Sequence, residues 1–257
     1  MKVKLKVSKA SLLEVMSEFF GTWFLVMTLF LSSLFLRGNE PLLVAIIYIV
    51  LLLTFSNFSR GHLNPLFTLA HLFTKIIESY KNKVILYKEL RIAGMYLLAQ
   101  TLGAITAYLV VMRIQNAVID FQLVKAGMEI TAATKDQVLA QVLYTNVFPA
   151  ASWKIAFFVE ALFSFMLALV YLVNYFSVKT KASIAMAVGL SFFVIEVFSN
   201  DINGSSFHFI KTLVAALFKG GEALSGIWVY IGAGVAGALM AALVYVAFAK
   251  LQKTIKK

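Results

Sequence analysis

The sequence contains no cysteine, so disulfide bonds, thiolate metal sites and cysteine nucleophiles are excluded. Charged residues are scarce: they make up 14% of the 257 residues, whereas roughly 25% is typical of soluble domains. The nucleophile elbow, the phosphate-binding loop and the zinc-peptidase motif are also absent from the sequence. We therefore expect no enzyme activity, no cofactor and no metal site.

What remains is strongly apolar, with 61% hydrophobic residues and a mean hydropathy of +0.88. Several apolar runs reach the roughly 20 residues that cross a hydrocarbon core of about 30 Å. We therefore predict an all-α membrane protein with six transmembrane helices. The spans are expected at about 12–36, 42–55, 91–112, 155–176, 183–198 and 227–248.

Basic residues outnumber acidic ones by 23 to 12, and their positions explain the excess. They cluster in four regions: before the first span, after the last, between the second and third, and between the fourth and fifth. By the positive-inside rule, both termini are expected in the cytoplasm of a cell-membrane protein, and the mixed-charge segment 113–154 is expected outside. The charge is therefore an orientation signal, aided by membrane lipids, and we expect no nucleic-acid partner.

The spans divide into two halves with the same plan. Each half opens with a span that carries one buried acid, Glu18 or Glu160, and each closes with a span rich in Gly and Ala. In the first half Asn64 suits a helix N-cap and Pro65 the first helical position, so a short helix begins there. The second half has a matching short apolar segment at 212–218. This pattern predicts an inverted 3+3 repeat with two re-entrant half-helices that meet at the midplane.

We expect one transmembrane domain over residues 1–257, in three parts. They are a first repeat at about 10–112, an external connecting loop at about 113–154 with some helix in its middle, and a second repeat at about 155–250.

Several short motifs follow one another in a characteristic order. They are Glu18-Phe19-Phe20-Gly21-Thr22; Gly61-His62-Leu63-Asn64-Pro65; Tyr96, Ala99, Gln100, Gly103 and Ala104; Glu160; and Trp228-Val229-Tyr230 with Gly237-Ala238. Together they resemble the aquaporin and glycerol-facilitator family, the major intrinsic proteins. The resemblance implies a homotetramer with one pore per subunit, through which small neutral solutes such as glycerol-like polyols or water pass down their gradients.

The resemblance also implies which residues form the pore. A gapless count from Gly189 places His208-Phe209-Ile210 where the family has its second Asn-Pro-Ala motif. The expected pore centre comprises Asn64, Pro65, Leu66, His208, Phe209 and Ile210. The expected selectivity filter comprises Val44, Glu196, Ser205 and Lys211, and the supporting residues are Glu18, His62, Gln100 and Glu160. Of these, Glu18 and Glu160 are expected to hold the loops that enter the half-helices.

The atypical second motif leaves alternatives open. His208 and Lys211 stand where the family has Asn and Arg, so the motif indicates either altered selectivity, a pore that no longer conducts or a slip in the count. Glu196 is either a solvated acid at the outer boundary or the partner of Lys211 across the mouth. A non-conducting structural relative and a proton-linked transporter that uses Glu196, His208 and Lys211 are therefore the rival interpretations.

Overall fold

The computed structural model describes residues 9–35, 40–135, 152–177, 180–203 and 206–256. Every regular element in these ranges is helical. The helices are α1 (Lys9–Phe35), α2 (Glu40–Phe55), α3 (Pro65–Ser79), α4 (Lys83–Lys125), α5 (Trp153–Ser177), α6 (Lys181–Asn203), α7 (Phe209–Lys219) and α8 (Gly221–Ile255).

Five of these helices, α1, α4, α5, α6 and α8, are long and apolar enough to cross a membrane. The second predicted span, α2, has 16 residues and is therefore about 24 Å long, which is less than the roughly 30 Å of a hydrocarbon core. The chain leaves α2 at Phe55 and returns to the interior to begin α3. Large apolar side chains such as Leu98, Phe158 and Phe248 are more than 60% exposed on the outer surface, as lipid contact requires.

The helix that contains the third predicted span continues past the expected end. We expected a connecting loop from Arg113, but α4 runs on to Lys125, and the Ala126 N–H still donates to the Gln122 carbonyl. Arg113 marks a drop in hydropathy, whereas backbone hydrogen bonds are local and continue in water as well as in lipid. Residues 136–151 of the expected loop lie outside the described ranges.

The two halves pack in the same way. Helix α1 packs on α2 and α4, and α5 packs on α6 and α8. At Gly103 of α4 an added Cβ would lie 2.6 Å from the Phe19 carbonyl oxygen, and at Gly237 of α8 it would lie 2.8 Å from that of Ala161. Phe19 and Ala161 each follow the buried acid of their own half by one position. The repeat inferred from sequence therefore recurs in the helix contacts.

Helices α3 and α7 are the half-helices, and both lie inside the bundle. Each packs on α4 and α8, and they also touch each other. Their N-terminal capping residues, Asn64 and His208, are buried, with exposed fractions of 0% and 1%. Helices α2 and α6 join the two halves, and Gly189 allows the close approach, since a Cβ there would lie 2.8 Å from the Ala45 carbonyl oxygen.

Candidate functional site

Two capped helix N-termini form the centre of the site. The Asn64 side-chain oxygen accepts a hydrogen bond from the Leu66 N–H at 2.9 Å, and Pro65 is the first residue of α3. His208 caps α7 in the same manner, because its Nδ1 accepts from the Lys211 N–H at 3.2 Å. Both caps satisfy an N–H group that the first helical turn leaves unbonded. Each N-terminus also carries the positive end of a helix dipole.

The residue before each cap adopts a left-handed backbone conformation. Leu63 has φ 51° and Phe207 has φ 35°, values that residues with a Cβ seldom adopt. A residue held in this region costs of order 1 kcal/mol or more, and surrounding contacts must stabilise it. The two turns therefore share one unusual geometry as well as one position relative to their half-helices.

The carboxylate of Glu18 holds the first of these turns. Its Oε1 accepts from the His62 N–H at 3.0 Å, and its Oε2 accepts from the Leu63 N–H at 2.7 Å. The Ser59 hydroxyl and the Gln100 amide also donate to it, at 2.7 and 2.9 Å. Four donors around one buried carboxylate favour its ionised form, because an ionised carboxylate only accepts hydrogen bonds.

The carboxylate of Glu160 has the equivalent position in the second half. It accepts from the Ser206 N–H at 3.2 Å and from the Phe207 N–H at 2.7 Å. The position on α8 that corresponds to Gln100 on α4 is Gly234, three residues before the close-packed glycine in each case. An added Cβ at Gly234 would lie 2.9 Å from the Phe209 ring, so the aromatic side chain fills this space.

The two turns bind directly to each other. The Asn64 amide donates to the Phe207 carbonyl at 2.8 Å and to the Tyr48 hydroxyl at 2.9 Å. In return His208 Nε2 lies 3.1 Å from the Leu63 carbonyl. Because Nδ1 of this ring already accepts a backbone N–H, the proton is assigned to Nε2, which donates to the carbonyl. Both Asn64 N–H groups and the single His208 N–H are thus used by protein acceptors.

The residues proposed as a filter lie on three different elements. Val44 of α2 is buried and Glu196 of α6 is half-buried. Lys211 of α7 is 8% exposed, and its Nζ lies 6.0 Å from the Phe30 ring centroid. The fourth predicted filter residue, Ser205, lies outside the described residues. The remaining pore-centre residues, Leu66, Phe209 and Ile210, are all buried.

An ion pair beside the first half-helix was not predicted from the sequence. Arg60 donates from Nη1 and Nη2 to Glu89 at 2.6 and 3.1 Å, and its Nη1 lies 2.9 Å from Nε2 of His71. Burial acts to lower the pKa of Arg60, but the hydrogen bonds and charge of Glu89 outweigh it, so that this pKa is raised. The guanidinium is therefore a fixed charge. The one sequence feature that could have indicated this ion pair is Arg60 itself, a large cation next to a half-helix.

A buried polar and aromatic cluster continues from this ion pair. The His62 ring lies 5.3 Å from the His71 ring and 5.7 Å from the Tyr171 ring, centroid to centroid. His62 Nε2, His71 Nδ1 and the Tyr171 hydroxyl are buried and have no hydrogen-bond partner among the described residues. Buried polar atoms of this kind are usually satisfied by water. The cluster is therefore suited to contact water or a hydroxylated solute.

Long apolar helices with two half-helices that meet at their N-termini define the class of protein: a multi-pass membrane protein with two re-entrant half-helices. The family model described as "Major intrinsic protein" matches residues 5–245, so the chain belongs to the major intrinsic protein family, a family of channels for small solutes. A relative from Lactiplantibacillus plantarum (strain ATCC BAA-793 / NCIMB 8826 / WCFS1), "Glycerol uptake facilitator protein-like 6", is 29% identical over 236 residues, covering 89% of this chain and 94% of that protein.

The fold is similar to a solved structure of the same architecture. The X-ray structure of the aquaglyceroporin from Plasmodium falciparum aligns with a TM-score of 0.66 and 19% sequence identity. The alignment covers 91% of this chain and 95% of that one. At this level of identity the comparison supports the aquaporin-like fold.

Proposed function

We propose that this protein is a passive channel for small neutral solutes, with glycerol-like polyols favoured slightly over water alone. The observation that carries the proposal is the pair of half-helix N-termini, Asn64 and His208, which are bonded to each other's turns. Two positive dipole ends and the Lys211 ammonium disfavour cations and protons, whereas neutral hydroxylated solutes meet no such barrier. The name of the Lactiplantibacillus relative, a glycerol uptake facilitator-like protein, supports the same solute class.

The proposed path runs between α2 and α6 and past the two half-helices. Val44, Glu196, Ser205 and Lys211 would form the outer filter. Asn64, Pro65, Leu66, His208, Phe209 and Ile210 would form the centre. Glu18, Glu160, Gln100 and His62 would support the turns. We propose a homotetramer in the cell membrane, with one pore per subunit, lipid around the outer surface and both termini in the cytoplasm.

Stopped-flow swelling of proteoliposomes in water, glycerol and urea gradients tests the proposed function. Purified protein should raise glycerol permeability above that of empty liposomes, with no dependence on an imposed pH gradient. Phe198→Leu is a matched variant, because Phe198 is 64% exposed on the outer surface of α6, and it should conduct like the wild type. Glycerol permeability equal to that of empty liposomes in both proteins would contradict the proposal.

Two rivals are separated by the same assay. In a proton-linked transporter Glu196 would have to bind and release protons, so Glu196→Gln would abolish uptake driven by a pH gradient. In a passive channel the same variant would still conduct. The second rival is a non-conducting structural relative, and a specific observation favours it: all three side-chain N–H groups of Asn64 and His208 are bonded to protein. A wild type without flux in any gradient would support this second candidate.

A further inference from the structure

Two stacked aromatic rings lie beside the cap of the first half-helix. The rings of Tyr48 on α2 and Phe192 on α6 are parallel within 17°, and their centroids are 3.8 Å apart. The Tyr48 hydroxyl accepts a hydrogen bond from Asn64 at 2.9 Å. Tyr48 is 0% exposed and Phe192 is 2% exposed. The stack therefore lies in the interior, at the level where the two half-helices meet.

Helix register places the stack directly inside the proposed filter. Tyr48 follows Val44 by four residues on α2, and Phe192 precedes Glu196 by four residues on α6. Residues four apart share one helix face, about 6 Å apart along the axis. If Val44 and Glu196 line the outer mouth, then Tyr48 and Phe192 line the next level of the same path. Neither residue belongs to the sequence motifs that resemble the family.

The rings and the two caps beside them have almost no exposed surface: the exposed fractions are 0% for Tyr48 and Asn64, 1% for His208 and 2% for Phe192, so no water-sized opening reaches them. Rings that are 3.8 Å apart are in van der Waals contact, so even water does not fit between them. The Asn64 amide and the His208 ring donate only to protein acceptors here. A solute would therefore need the rings to separate and Asn64 to release the Tyr48 hydroxyl.

We propose that the Tyr48–Phe192 stack is the constriction that limits solute flux through the centre of this protein, an inference that rests on the proposed channel function. The stack then acts as a size filter for neutral solutes. Its removal should raise glycerol permeability more than water permeability, because the larger solute needs the wider separation. The hydroxyl of Tyr48 keeps its ring in place through Asn64, so loss of the hydroxyl alone should have a smaller effect of the same sign.

The test is proteoliposome swelling of the wild type, Tyr48→Phe, Tyr48→Val and Phe192→Leu. We expect glycerol permeability to rise at least about tenfold in Tyr48→Val, equivalent to about 1.4 kcal/mol in the barrier. A smaller rise is expected in Tyr48→Phe. The matched control is Phe193→Leu, one residue along α6 and 37% exposed on the outside, which should conduct like the wild type.

Folding is checked by size-exclusion chromatography and helical circular dichroism. Phe192→Leu keeps an apolar side chain, so it decides the question if Tyr48→Val does not fold. A conducting wild type with unchanged flux in Phe192→Leu would overturn the constriction and leave the channel function standing. No flux in the wild type and in all folded variants would overturn both. A silent wild type with conducting variants would support the constriction and show that the resting protein is closed.

Discussion

Glu18→Gln tests how the first pore turn is held. The substitution removes one charge and places an NH₂ group where hydrogen-bond donors point. Oε1 of Glu18 accepts hydrogen bonds from the Ser59 hydroxyl and the His62 N–H. Oε2 accepts them from the Leu63 N–H and the Gln100 amide. Because each oxygen receives two donors, neither orientation of the new amide satisfies all four.

The expected loss of stability follows from which partners can adapt. The Ser59 hydroxyl can rotate and the Gln100 amide can flip, but the backbone N–H of His62 or Leu63 cannot move. One buried N–H is therefore left without an acceptor, at about 1–3 kcal/mol, and the remaining hydrogen bonds lose charge assistance. The lower cost of burying a neutral amide offsets part of this. We expect the free energy of unfolding to fall by about 2–3 kcal/mol.

The assay is reversible unfolding in mixed micelles with increasing SDS, followed by circular dichroism. Glu78→Gln is the matched control, because the Glu78 side chain is 31% exposed and its ion pair, in the part of the chain that the structure describes, is with Lys75 of the same helix at 2.9 Å. This control should change stability by less than about 1 kcal/mol. Equal effects of the two substitutions would refute the view that an ionised Glu18 holds the turn.

Two further predictions concern packing and charge. Gly237→Ala should destabilise the protein by about 1–3 kcal/mol, because the added Cβ would lie 2.6 Å from a side-chain carbon of α5. The control Gly94→Ala has open space around it and should be neutral or stabilising. Similar melting temperatures for both would show that α5 and α8 are not so closely packed. Arg60→Lys should lower stability by about 1–3 kcal/mol, because the single ammonium nitrogen of lysine cannot reproduce the contact that the two guanidinium nitrogens of Arg60 make with Glu89. A melting curve identical to that of the wild type would count against this ion pair.

Local chemistry made the main features of the fold predictable. Apolar runs, basic clusters and the Asn64-Pro65 cap each act within a few residues, so they can be read from the chain. The similar order of features in the two halves then predicted an inverted repeat, and the aquaporin-like fold is confirmed by the structural comparison. Glu18 and Glu160 were also singled out in advance, since a lone acid in an apolar span needs partners. The end of α4 was not predictable, because hydropathy reports the membrane boundary and not the helix end.

The tertiary structure alone decided which apolar and aromatic side chains face the interior. Helix α2 is apolar on every side, so its sequence gives no sign that Tyr48 points at Asn64 while other residues point at lipid. The contacts of Phe192 with Tyr48 and of Arg60 with Glu89 join residues 144 and 29 positions apart, and each depends on how separate helices pack. In a bilayer the lipid is as apolar as the core, so hydrophobicity does not sort the two faces. Only the packed helices show that the donors of both half-helix caps are already bonded.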